Sequence, residues 1–189
     1  MPKVPEVEGL SRFRSNKMSD QVKDVDACAA IGAPVKQHTL LEPFVGTFRA
    51  RVKLWMGPGD PMESTGVMTN TMDLGGTFLK QHYVGDPGPG PFPEFEGRGY
   101  WGYNTVDHRY EGFWIDSSST FMMTEQGQVN ESGKVWTMIG SNTNPETGEP
   151  MKKRTVITLN DNDHHLMEMY FETPEGESKS MEIRYERMK

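Results

Sequence analysis

From Phe44 onward the chain alternates. In "TFRARVKLWM" (47–56), Phe48, Ala50, Val52 and Leu54 share one parity, and Thr47, Arg49, Arg51 and Lys53 share the other. A period of two belongs to a β-strand with one face buried and one in water. About ten such runs follow one another, near 45–56, 62–73, 77–85, 95–104, 109–116, 120–128, 135–142, 151–160, 165–173 and 178–187. Turn-forming clusters separate them: "NTVDH", "NESGK", "NTNPETGEP", "NDND" and "TPEGE". The segment "GDPGPGPFPEF" is too rich in proline to donate to a ladder, which makes it a long loop at a barrel mouth.

Strands joined by tight turns form an antiparallel sheet, and closing that sheet hides its two edges. The expected fold is therefore all-β: an up-and-down antiparallel β-barrel of about ten strands, with room inside for side chains and a small ligand. The expected barrel domain runs over 34–189. Residues 1–33 form a separate extension, poor in large apolar residues after Phe13. A short helix is expected near 20–31, with Ser19 or Asp20 as N-cap and Gly32 as stop, and much of the first 18 residues is expected to be disordered. Pro34 opens "PVKQHTLLEPFVG", whose Val35, Leu40 and Leu41 are expected to pack on the barrel. The N-terminal helical segment would cap one end.

Composition narrows the partners. The 189 residues carry a formal charge of −7, and the densest basic run is only "KKR" at 152–154. A nucleic-acid partner is disfavoured on that ground. No run approaches the roughly 20 apolar residues that span a bilayer, and the first residues lack a signal-peptide core. Cys28 is the single cysteine, so no intrachain disulfide forms. A cytoplasmic location is the expectation.

The motifs "HTLLEPFVGTF", "LGGTFLKQHYVG", "FEGRGYWGYNTVDHRYEGFWIDSSST", "NPETGEP" and "KSMEIRYER" resemble the DUF1579 family over about residues 34–189. Phe48 stands where that family usually carries Trp, and Asn104 where it commonly has Asp. The resemblance implies a bacterial protein with a lipocalin-like, fatty-acid-binding-protein-like barrel and brings no site residues with it. Related calycin-like barrels imply a lipophilic ligand or, in the nitrobindin branch, haem.

The residues themselves offer a pocket. In "RYEGFWID", Tyr110, Gly112, Trp114 and Asp116 share a face; in "EFEGRGYWGY", Phe95, Gly97, Gly99, Trp101 and Tyr103 do. The glycines leave space beside the rings. In "LMEMYFE", Leu166, Glu168 and Tyr170 oppose Met167, Met169 and Phe171; in "KSMEIRYER", Met181, Ile183, Tyr185 and Arg187 line up. The candidate wall is Trp101, Tyr103, Trp114, Tyr170 and Tyr185, with Asp116, Glu168 and Arg187 orienting the polar end of a small lipophilic or amphipathic molecule. Against this stand plainer roles: aromatics filling a core, Asp116 capping the "SSS" turn, and Arg187 in a structural ion pair. Fourteen methionines fit an adaptable pocket or ordinary core filling.

Two rivals use the same residues. One is an enzyme, a cyclase, isomerase or hydrolase with a carboxylate–tyrosine site. The other is a filled barrel acting as a homodimeric interaction module. Histidines 38, 108, 164 and 165 read as turn chemistry, and adjacent His164 and His165 point apart, so no metal site is expected. His82 is the one credible axial ligand for haem, although its partners Phe78 and Lys80 place it on the outer face. No G-x-S-x-G, H-E-x-x-H, P-loop or dinucleotide fingerprint is present.

Overall fold

Each alternating run forms a strand. The computed structural model describes residues 31–88, 94–144 and 147–189. The strands are β1 (Gly46–Leu54), β2 (Met62–Asp73), β3 (Phe78–Gly85), β4 (Glu96–Asn104), β5 (Arg109–Asp116), β6 (Met123–Val129), β7 (Val135–Thr143), β8 (Pro150–Leu159), β9 (His164–Thr173) and β10 (Gly176–Arg187). Each pairs antiparallel with its successor, and β10 returns to β1, closing a ten-stranded barrel. The chain from Pro34 to Lys189 forms one compact unit. The helix expected near 20–31 lies outside the described residues but for Ile31, as do Cys28 and positions 89–93 of the proline-rich loop.

Strand lengths differ from expectation at one place worth a cause. β6 begins at Met123 instead of near 120. The Asp116 carboxylate accepts from the Ser118 N–H (3.0 Å) and hydroxyl (2.7 Å), which holds the chain in a turn before it can pair.

Register assigns the faces. Phe48, Ala50 and Val52 pair with Arg187, Tyr185 and Ile183 on one side and with Met68, Gly66 and Ser64 on the other. Continued round the barrel, the inward set includes Tyr83, Gly97, Gly99, Trp101, Tyr103, Tyr110, Gly112, Trp114, Glu125, Trp136, Met138, Lys153, Thr155, Met167 and Met169. The one register shift in β10 falls between Lys179 and Met181, so it leaves Met181, Ile183 and Tyr185 facing in together.

One end is plugged by the segment before β1. A single-turn helix, α1 (Lys36–Thr39), and a 3₁₀ turn, Glu42–Phe44, drop Leu41 and Phe44 among Leu79, Trp101, Tyr110, Trp136, Met138 and Leu159. His38 ties α1 down: its Nδ1 accepts from the Val35 N–H at 2.9 Å, and its ring meets Tyr103 edge-on at 6.0 Å. The barrel then clamps the plug's backbone. The Tyr110 hydroxyl donates to Gln37 O (2.9 Å) and the Asn70 amide to Phe44 O (2.9 Å). The Arg187 guanidinium donates to Pro43 O (2.8 Å) and Val45 O (2.7 Å). Gly46 makes that approach possible: at φ +132° it stands where a Cβ would lie 2.2 Å from Arg187 Nη1.

Candidate ligand-binding lumen

The inward side chains divide by end. Near the plug they are sealed: Phe44 packs on Trp101 (5.3 Å), Trp136 (5.2 Å) and His165 (5.1 Å). Toward the opposite end, where β1 finishes and β2 begins, Val52, Leu54, Trp114, Met123, Met151, Met167, Met169, Phe171 and Met181 remain only half-buried although they face in. An inward apolar residue keeps exposure only where the barrel interior is not filled by its neighbours.

Glycines let two large rings lie against the wall. A Cβ on Gly97 would lie 2.1 Å from Trp114 Cζ2, and one on Gly66 would lie 2.3 Å from the Tyr83 hydroxyl. Both rings therefore lie along the wall, over positions that carry no side chain.

Four polar side chains sit among them, Lys153, Glu125, Thr155 and Asp116. Lys153, only 4% exposed, places its ammonium 3.2 Å from Glu125 Oε2, and the Thr155 hydroxyl donates to the same oxygen at 2.8 Å. The group is a neutral pair with a hydroxyl attached, set beside Gly140 on β7. Nearer the mouth, Asp116 accepts from Trp114 Nε1–H at 3.1 Å as well as from Ser118.

His165 bridges the two halves. It stacks on Tyr185 (4.3 Å, 15°) and meets Phe48 edge-on at 4.7 Å. Burial, with Arg187 adding repulsion, pushes its imidazole down to about 3, so it is neutral at ordinary pH. Burial also pushes the Tyr83 phenol up to about 12, and raises Tyr185 with help from Tyr83 nearby.

Set against the sequence, the site residues scatter. Trp114, Asp116 and Tyr185 face the lumen as expected. Trp101 and Tyr103 also face in, but Trp101 belongs to the sealed cluster and Tyr103 packs against it. Glu168 and Tyr170 require correction: β9 presents Met167, Met169 and Phe171 inward, so these two lie outside. There Glu168 binds Lys179 and accepts from the Tyr170 hydroxyl at 3.2 Å, while Arg154 lies over the Tyr170 ring at 4.3 Å and pairs with Glu177. Hydrogen bonding to Glu168 holds the Lys179 ammonium above its usual range, and Lys179 in turn lowers Glu182. Arg187 is also corrected. It faces inward at the plugged end, where backbone carbonyls, Asn162 O and Asp163 (3.2 Å) occupy its donors, and its charge covers the Phe48 ring at 4.5 Å.

The histidines do not fit an axial haem site. His82 is outside, 2.7 Å from Glu96, and His165 is closed in by Phe44, Phe48 and Tyr185. Among the described residues no group of three His, Cys, Asp or Glu side chains is placed to hold a metal. No helix there is long and apolar enough to cross a membrane.

Sequence reasoning missed Glu125, Lys153, Thr155, Tyr83 and His165. The signal for Lys153 was available: Met151, Lys153, Thr155, Ile157 and Leu159 share one parity. His165 likewise opens the parity of Met167 and Met169.

The architecture is a closed up-and-down β-barrel, plugged at one end and lined with half-buried apolar groups at the other. The chain belongs to the family described as "Protein of unknown function (DUF1579)", which matches residues 33–187. No curated protein matches it. Among solved structures, Rv2717c from M. tuberculosis is similar at 15% identity and a TM-score of 0.60, over 83% of this chain and 100% of that one. The S-type phycobiliprotein lyase CPES from Guillardia theta is similar at 12% identity and a TM-score of 0.53, over 85% of this chain and 97% of that one. At such identities the likeness is one of fold.

Proposed function

We propose that this protein binds a small apolar or amphipathic molecule inside the barrel, entering at the end opposite the plug. The observation that carries the reading is the set of inward apolar side chains, Val52, Trp114, Met167, Met169, Phe171 and Met181, that stay half-exposed in a barrel whose other half is tightly packed. Apolar surface held open in a concave wall gains free energy when a ligand covers it, at about 25 cal/mol per Å². The methionines suit this use, because their unbranched, polarizable side chains adapt to ligand shape.

Native mass spectrometry of the full chain, purified from its own host under mild conditions, tests the reading. A small molecule that travels with the folded chain and leaves on denaturation supports it. A bare chain that also takes up no apolar dye would contradict it.

A further inference from the structure

Two hydroxyls inside the barrel have no partner. Tyr83 and Tyr185 are each only 6% exposed, and neither phenol oxygen hydrogen-bonds to another described residue, yet neither is among the enclosed polar atoms left without a partner, so both oxygens remain open to a small molecule in the lumen. Both belong to one buried cluster with Phe48, Ala50, Met68 and Ile183. The strands between them carry small inward residues at this level. Tyr185 pairs with Ala50, Ala50 pairs with Gly66, and the Tyr83 hydroxyl lies over Gly66. The two rings thus converge above a floor of a methyl group and a bare glycine. A phenol on a largely buried ring whose oxygen has no protein partner keeps its hydrogen bond available to whatever enters the lumen.

We propose that Tyr83 and Tyr185 form the headgroup subsite of the lumen and donate hydrogen bonds to the carbonyl oxygen of a neutral amphipath, a long-chain ketone, ester or amide. This rests on the reading of the lumen as a ligand site. Donation is the role open to both groups, since burial, aided by Asp86 near Tyr83 and by Tyr83 near Tyr185, keeps both phenols protonated across the physiological range.

The charge inventory selects a neutral head over a carboxylate. The Lys153 ammonium is already matched by Glu125 at 3.2 Å. Arg187 is occupied by backbone carbonyls and by Asp163. Asp116 adds negative charge toward the mouth. Among the described residues, no cation facing the lumen is left to compensate a buried anion, and an uncompensated buried charge is far costlier than a buried carbonyl. The half-buried methionines and Trp114 then cover the tail.

The test uses the full chain with N-phenyl-1-naphthylamine as an apolar lumen probe, displaced by 2-undecanone or by decanoate. The expected result is displacement by the ketone at concentrations at least about tenfold lower than by decanoate. Tyr83→Phe and Tyr185→Phe should each weaken ketone binding roughly threefold to tenfold, a larger loss than either causes for naphthylamine, which offers no carbonyl. Both variants should fold as stably as the parent, because the deleted hydroxyls bond to nothing in the protein. A measurement independent of variants is the infrared carbonyl stretch of ¹³C-labelled 2-undecanone, which should move to lower frequency on binding the parent chain. Equal ketone affinity in the variants, an unshifted carbonyl, or tighter binding of decanoate would overturn the headgroup assignment while leaving the lumen reading intact. Failure of the naphthylamine to bind the parent would overturn the lumen reading, and the headgroup assignment with it.

Discussion

The two halves of this barrel are built from the same strands and differ in what fills them. Around the plug, Phe44, Trp101, Tyr110 and Trp136 interlock edge-to-face, and backbone carbonyls of the plug are held by Tyr110, Asn70 and Arg187. At the other end the inward rings lie flat over glycines, the methionines are half-buried, and Lys153 and Glu125 compensate one another. The lesson is a division of labour along the barrel axis. Stability resides where side chains meet across the interior, and the proposed binding role falls where they stop short of meeting.

The largest effect expected from this division is on acid stability. The folded chain keeps His165 neutral down to about pH 3, whereas the unfolded chain protonates it near 6.5. Stability is therefore full above about pH 6.5 and is lost as pH falls from there toward 3, by about 4–5 kcal/mol in all at ~1.4 kcal/mol per unit. His165→Phe, which keeps a ring against Tyr185, should remove that component. Urea unfolding of both proteins at several pH values measures the difference, and parallel curves would refute the buried neutral imidazole.

Next comes the plug itself. Phe44→Ala should cost about 3–5 kcal/mol in urea unfolding, the range for deleting a fully buried ring. Arg187→Met should cost about 2–3 kcal/mol, since it strips a charged donor from the carbonyls of Pro43, Val45 and Asn162. By contrast, Met169→Ala should cost only about 1 kcal/mol, because its site is already half-open, yet it should weaken binding of an apolar probe. A Met169→Ala cost as large as that of Phe44→Ala would erase the distinction between the halves.

The smallest effect belongs to the outer wall. Glu168→Gln should change stability by less than about 1 kcal/mol and leave probe affinity unchanged, as an ion pair facing water allows. A clear loss of binding in that variant would return Glu168 to the lumen.

How far the sequence could be read follows from the same contrast. The ten strands were legible because each is bounded by residues that favour turns, and faces were legible where apolar and polar residues alternate cleanly, as in β1. In β9 both parities carry large apolar groups, Leu166 and Tyr170 against Met167 and Phe171, so periodicity could not say which looks in. Only pairing with β8 and β10 decides it, and Glu168 and Tyr170 go outside. Arg187 was placed on the correct face, but its partners are the carbonyls of a plug more than a hundred residues earlier, an encounter that alternation does not encode. The pairing of Lys153 with Glu125 depends in the same way on β6 and β8 meeting over Gly140.

The most direct test of the account follows the methionine methyl groups by ¹³C NMR while N-phenyl-1-naphthylamine is added to the full chain. The methyls of Met167, Met169 and Met181 should shift as the open half fills, while Met138, sealed against the plug, should hold its position. Shifts confined to surface methionines such as Met56 and Met188, or no shift in any methyl, would contradict a receptive lumen.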